Sequence, residues 1–226
     1  PYWDSPSQKA GVKAGDVILS IDKKDVKGVS VDKVSNMLRG EAGTTFELKV
    51  KRTGEKKPLS FKITRETIRV PQVPYYGLLQ PGVGYICLTG FADGAGKEMR
   101  QALLELKKQG ADRLILDLRD NPGGSLDESV GIANLFIPKG KKVVYTKGKM
   151  ARTNRDFYTA VEPVDTVMPL VVMGDGGTAS SAEIVSGSLQ DMDRAVIIGT
   201  RTFGKGLVQM IRDLPYGGNL KITTSR

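Results

Sequence analysis

Apolar and polar residues alternate through "DVILSID" (16–22) and, more strictly, through "FELKVKR" (46–52), where Phe46, Leu48 and Val50 share one face and Glu47, Lys49 and Lys51 the other. A period of two marks half-buried strands. "LSFKI" (59–63) repeats the pattern after the turn-like "RTGEKK". Between the first two strands, Ser30 is placed to cap a short helix with Val31, Val34 and Leu38 on one side and Gly40 as its stop. These patterns predict a small, mostly β module with one such helix over residues 1–66.

A linker over 67–81, with prolines at 71, 74 and 81, separates this module from a region of different character that begins near residue 82. "VGYICLTGF" reads as a buried strand, and "GKEMRQALLELKKQG" as an amphipathic helix with Met99, Ala102, Leu103 and Leu106 on one stripe and Gly110 at its end. "RLILDL", "PLVVMG" and "RAVIIGT" are further short apolar strands. Strands alternating with helices predict an α/β region, 82–226, built on a mostly parallel sheet.

Composition narrows the chemistry. The 226 residues carry no histidine and one cysteine. Ser-His-Asp and Cys-His catalysis are therefore excluded within the chain, as are histidine-containing metal sites and thiolate zinc clusters. Acid–base work at neutral pH falls to a shifted Lys, Asp, Glu or Tyr, and neither metal nor cofactor is expected. Cys87 lies in the apolar run "VGYICL", as a small buried hydrophobe does. The net charge of +9 admits an acidic partner, but the lysines sit in turn-like stretches such as "DKKDVKG" and "PKGKK" without interleaved aromatics. Nucleic acid is not the expected partner; association with an anionic membrane surface stays open. No stretch approaches the ~20 apolar residues of a membrane span. The chain opens in "PYWDSPSQKAG" and stops in "KITTSR", as a fragment does.

Sites in open α/β sheets form beyond the carboxyl ends of the strands, and three such ends stand out. After "RLILDL" comes Asn121-Pro122-Gly123-Gly124, whose glycines permit a sharp bend and exposed N–H groups, or simply a strand-exit turn. After "PLVVMG" comes "DGGTASSAEIVSG": Ser180 and Glu183 fit an S-x-x-E helix cap, while the same serine at a helix N-terminus could be a nucleophile elbow. After "RAVIIGT" comes "RTFGKGLVQ". Gly199, Gly204 and Lys205 satisfy most of a phosphate-binding loop, but Gly206 lacks the hydroxyl that magnesium needs and "LVQMIRDLPYGG" is a poor helix.

A serine hydroxyl needs a base, and in a chain without histidine a lysine can serve if burial lowers its pKa from about 10.4 toward 7 to 8. Lys205 has no acidic neighbour within three residues and lies among Phe203, Leu207 and Val208, as such a pocket requires, with the neutral Gln209 four positions on.

Two resemblances become specific here. "SPSQKAGVKAGDVILSID" with "SVDKVSNMLRGEAGTTFELKVKR" resembles a PDZ domain of the bacterial protease-associated type, whose opening strand and carboxylate loop would precede Pro1. The whole series, this segment followed by "NPGG", "GGTASSAEIVSGSLQD" and "GTRTFGKGLVQ", resembles the carboxyl-terminal processing peptidases, or tail-specific proteases. That family implies a crotonase-like α/β protease core with a small α+β PDZ domain truncated at its N-terminus, the sheet being completed after Arg226. It further implies Ser180 as nucleophile, Lys205 as general base and Gln209 as the residue that positions Lys205. The oxyanion hole would come from the Ser181 N–H and that of Gly123 or Gly124. Expected substrates are proteins or peptides gripped by their C-termini, in the periplasm or cell envelope, with Arg39 at the end of the groove helix coupling the two regions. The rivals are a crotonase-like acyl-CoA enzyme, which would need neither Ser180–Lys205 nor a PDZ segment, and a catalytically silent peptide-binding adaptor.

Overall fold

The computed structural model describes residues 1–2, 5–68 and 70–226. They fall into two units, Pro1–Val70 and Pro71–Arg226.

The first unit contains α1 (Pro6–Lys9), β1 (Val17–Ile21), β2 (Lys24–Asp25), α2 (Val31–Leu38), β3 (Thr45–Lys51) and β4 (Leu59–Thr64). Its strands form one antiparallel sheet in the order β2-β1-β3-β4. The expected alternation along β3 holds: Phe46, Leu48 and Val50 are buried with Ile21, Val26 and Ile63, and their polar neighbours face solvent. The stripe on α2 differs from expectation. Val31 is 84% exposed, while Val34, Met37 and Leu38 pack on the core. Val31 occupies the first position of an eight-residue helix, so the i, i+3, i+4 set that faces the sheet starts one turn later. Nor does Gly40 end the helix by a left-handed turn. Arg65 does the capping instead: its Nε donates to the Leu38 carbonyl at 2.9 Å and its terminal nitrogen to that of Met37 at 3.1 Å. A Cβ on Gly40 would stand 2.8 Å from that Nε, so the glycine leaves room for the arginine. A second arginine ties the ends of the sheet. Arg52 forks onto both oxygens of Asp16, each at 2.7 Å, and donates to the Gly11 carbonyl. The Arg52 bonds, followed by the Lys13 N–H, hold the Asp16 carboxyl down at about 2.

The second unit contains β5 (Tyr75–Gln80), β6 (Val83–Cys87), α3 (Ala95–Lys108), β7 (Arg113–Asp117), α4 (Leu126–Ala133), β8 (Lys142–Thr146), β9 (Arg155–Tyr158), β10 (Leu170–Gly174), α5 (Ser181–Asp191), β11 (Val196–Gly199), β12 (Val208–Asp213) and β13 (Asn219–Ser225). Five strands make the main sheet in the order β11-β10-β7-β6-β5. The four from β6 to β11 run parallel, and β5 pairs antiparallel with β6. This corrects the linker assigned to 67–81: its second half is a sheet edge, and the units divide at Val70 and Pro71. The prolines misled, because "YYGLLQ" is strand-forming and Pro81-Gly82 turns it into β6. Arg69, within that segment, lies outside the described residues.

The core lies between this sheet and its helices. Met99, Leu103 and Leu106 of α3 are buried with Ile86, Leu116 and Val172 of the strands and Val185 and Leu189 of α5. Gly110 ends α3 at φ 91°, as its position after the apolar stripe predicts. Helix α4 and the two hairpins, β8–β9 and β12–β13, carry no strong periodic signal.

Candidate active site

The β7, β10 and β11 strands run parallel in adjacent positions of the sheet, so their carboxyl ends open on one side of it. The segment after β7 is held from below. Asp117 is 4% exposed and accepts the Tyr85 hydroxyl at 2.6 Å and the Arg119 guanidinium at 2.6 to 3.1 Å. Burial alone would raise its carboxyl, but the bonds from Arg119 and Tyr85 outweigh it and lower the pKa. The same burial, followed by the bond to Asp117, pushes the Tyr85 phenol up to about 12. Burial also raises the neighbouring Cys87 thiol, although the side chain is half-buried rather than fully enclosed as the apolar run suggested.

Asn121 is fully buried: its amide donates to the Leu88 carbonyl at 2.7 Å and its oxygen accepts the Gly123 N–H at 2.9 Å. The bend that follows brings the backbone against the next strand end. A Cβ on Gly123, at φ 89°, would lie 2.7 Å from the Ala179 carbonyl and 2.8 Å from the Ser181 nitrogen. The turn after β10 is locked reciprocally. Asp175 accepts the N–H groups of Asp120, Gly177 and Thr178 at 2.9 to 3.1 Å, the Thr178 hydroxyl reaches the Leu118 carbonyl at 2.7 Å, and the Ala179 N–H reaches Asn121 at 2.9 Å.

This framework holds Ser180 at φ 57°, ψ −115°, a strained conformation for a residue with a Cβ. Ser180 is the N-cap of α5, and its N–H donates to the Glu183 carboxylate at 2.7 Å, as the cap spacing predicts. The other oxygens and N–H groups around Glu183 reveal a larger role. The carboxylate also accepts the Thr202 hydroxyl at 2.7 Å, the Gly204 N–H at 2.7 Å and the Lys205 N–H at 2.9 Å. One side chain thus links the serine to the segment bearing the lysine. Burial would raise the Glu183 carboxyl, but these four bonds win and lower its pKa. Sequence spacing marked Glu183 only as a cap partner; nothing in the pattern pointed to residues some 20 positions downstream.

Ser180, Ser181, Gly124, Lys205 and Gln209 line one cavity of about 720 Å³. Gly124 belongs to this cavity, whereas the Gly123 N–H is directed at Asn121. The apolar surround expected for Lys205 is partly formed: Leu207 and Val208 line the cavity, but Phe203 is 68% exposed and Leu207 itself 49%. The Gln209 amide donates to the Thr223 hydroxyl across β12–β13 at 3.4 Å. Arg39, in the first unit, is exposed at the end of α2 and donates to Asn36 at 3.4 Å. Among the described residues no cluster of acidic or sulfur ligands could hold a metal, and no helix is long and apolar enough to cross a membrane.

Comparison with known proteins gives a concordant picture. Residues 82–226 match the family model described as peptidase family S41, and residues 2–52 match a PDZ domain model. Over its full length the chain is 39% identical to a carboxy-terminal-processing protease of Bartonella bacilliformis, of which it covers 52%, and 39% identical to a carboxyl-terminal-processing protease of Synechocystis, of which it covers 53%. The chain spans about half the length of the curated relatives it matches. Among solved structures it resembles the photosystem II D1 C-terminal processing protease, with 34% identity and a TM-score of 0.60 over 98% of this chain and 60% of the other.

Proposed function

The chain belongs to peptidase family S41 and carries a PDZ domain ahead of its protease region; from that premise we propose that it is a serine endopeptidase that cleaves proteins near their C-termini. Ser180 is the nucleophile and Lys205, as its free amine, the general base. Lys205 Nζ takes the proton from Ser180 Oγ as that oxygen adds to the scissile carbonyl. The proton then passes to the leaving amine as the C–N bond breaks, and a water deprotonated by the same lysine releases the acyl group from Ser180. The Ser181 and Gly124 N–H groups hold the oxyanion. Gly124 is preferred to Gly123 because it lines the cavity while the Gly123 N–H points at Asn121.

The observation that carries this reading is the backbone of Ser180. A helix cap needs no positive φ, whereas a strand-to-helix elbow that lifts a hydroxyl into a cavity opposite a lysine does. Cleavage of casein or a tagged peptide by the wild type, Ser180→Ala and Lys205→Ala tests it. Activity is expected in the wild type alone, and equal activity in all three would overturn the assignment.

Gln209 positions the Lys205 amine from the same cavity wall, so Gln209→Ala should lower kcat more than it changes KM. The PDZ unit recruits the substrate tail and raises the local concentration of the scissile segment. The relatives are bacterial processing proteases, and work outside the cytoplasm, in the periplasm or cell envelope, fits that setting. Arg39 couples tail binding to cleavage; in this reading Arg39→Ala abolishes stimulation by a tail peptide, and unchanged stimulation would discard the role.

A further inference from the structure

The wall of the cavity beside Ser180 is charged in one sense only. Besides Lys205, which serves as the base, Lys147, Lys221 and Arg226 line it, and among the described residues no aspartate or glutamate does. Its remaining lining is largely apolar, with Leu126, Val144, Ile184 and Ile211. The charged residues are placed by the hairpins. Lys147 follows β8 and exchanges backbone bonds with Arg226, at 2.7 and 2.9 Å, while Lys221 stands opposite Ile211 in the β12–β13 ladder. Among the described residues, none of Lys147, Lys221 and Arg226 forms an ion pair. Lys142 shows the contrast: at the other end of β8, outside the cavity, it is paired with Asp156 at 2.9 Å.

Like charges around an apolar recess repel one another more strongly than on an open surface, because the recess focuses their field. None of the described residues lining the cavity supplies a counter-charge, so a bound segment can. We infer that the substrate segment at the scissile bond bears an apolar side chain, seated against Leu126 and Ile184, flanked by acidic side chains that face Lys147 and Lys221. This inference rests on the peptidase reading above and adds to it a substrate class.

The test uses peptides of one length and one amidated tail, with an apolar residue flanked by Glu, by Gln or by Lys. Cleavage by the wild type is measured as kcat/KM, with Ser180→Ala as the blank. Partly exposed ion pairs favour the Glu peptide by about threefold each, so roughly tenfold over Gln for two. The preference should shrink as salt is raised and the screening length falls from ~10 Å at 0.1 M to ~3 Å at 1 M. In the Lys147→Glu/Lys221→Glu variant it should invert in favour of the Lys peptide; Lys147→Gln and Lys221→Gln, each expected to remove about half of it, replace that variant if it fails to fold. Ser180-dependent cleavage of all three peptides at equal rates would overturn the inference while leaving the peptidase standing, as would a preference that survives charge reversal unchanged. A preference seen only on swapping the amidated tail for a free carboxylate would overturn it too. If no peptide is cleaved, the peptidase reading fails separately, and the anisotropy of labelled peptides bound to Ser180→Ala decides: tighter binding of the Glu peptide supports an acidic-segment site, and equal binding ends the proposal.

Discussion

The two halves of the candidate site are built to different standards. The Ser180 segment is embedded: Thr178, Ala179, Ser181 and Ala182 are all buried, and the Ala179 N–H bond to the Asn121 carbonyl with the Ser181 hydroxyl bond to that of Gly124 hold it on a second side. The Lys205 segment, residues 200–209, lies at the surface, with Phe203, Leu207 and Gln209 exposed. Ahead of the β12–β13 ladder it is moored through Glu183, the Phe203 N–H bond to Thr178 at 3.0 Å and the Thr200 N–H bond to Gly174 at 3.2 Å. A strained serine needs an over-determined frame, since such a conformation costs ~1–3 kcal/mol. A lysine on a long flexible stem needs only its backbone placed. The contrast teaches that the serine side is a property of the fold, whereas the lysine side depends chiefly on one carboxylate.

The largest expected effect breaks the embedded half. In Gly123→Ala the new Cβ meets two backbone atoms that cannot swing aside, and φ 89° adds strain. Because that contact displaces the Ser181 N–H, cleavage should fall by ~10² or more, the scale of losing an oxyanion donor, and thermal melting should show destabilisation of ~1–3 kcal/mol. Next, Glu183→Gln keeps the size but cannot serve four donors, leaving N–H groups at ~1–3 kcal/mol each without a charged partner. A loss of activity of ~10-fold or more is expected, with limited proteolysis opening near residues 200–207 and sparing 175–180. Proteolysis at both places would show the two halves to be one unit.

Acid sharpens the same contrast without mutation. Folding lowers the Glu183 pKa, so its stabilisation is complete above the unfolded carboxyl value and is lost as pH falls through the lowered one. The wild-type Lys205 segment should resist protease at neutral and mildly acid pH and become cleavable only below the usual carboxylate range. Glu183→Gln should be cleavable throughout. The smallest effect lies elsewhere: Arg65→Ala removes two bonds to the end of α2 and a guanidinium 4.5 Å from the Phe46 ring. It should cost the first unit ~1–2 kcal/mol, read as a lower melting temperature, and leave cleavage of a short untethered peptide unchanged.

Much of this was legible beforehand where local pattern and burial agree. The β3 alternation, the α3 stripe ending at Gly110, and the three strand ends with their loops all have short-range causes. The errors share one too. Pro71, Pro74 and Pro81 read as a linker because proline signals are local, while β5 exists through its pairing with β6. Val31 looked like part of a stripe because periodicity cannot say where a helix begins to touch its sheet. Phe203 looked like wall for Lys205 because adjacency in sequence does not bury a side chain.

Composition alone removed histidine catalysis and metal sites built on histidine or clustered thiolates, and order along the chain made Ser180 and Lys205 the pair to examine, since residue types and spacings are written directly in a sequence. What brings those two segments to one cavity is a carboxylate that spacing had marked as a helix cap. That link, and the fact that Gly124 lines the cavity while the Gly123 N–H is bonded to Asn121, belonged to the tertiary structure. A hydrogen bond depends on where groups meet in space, and only the packed sheet sets that distance.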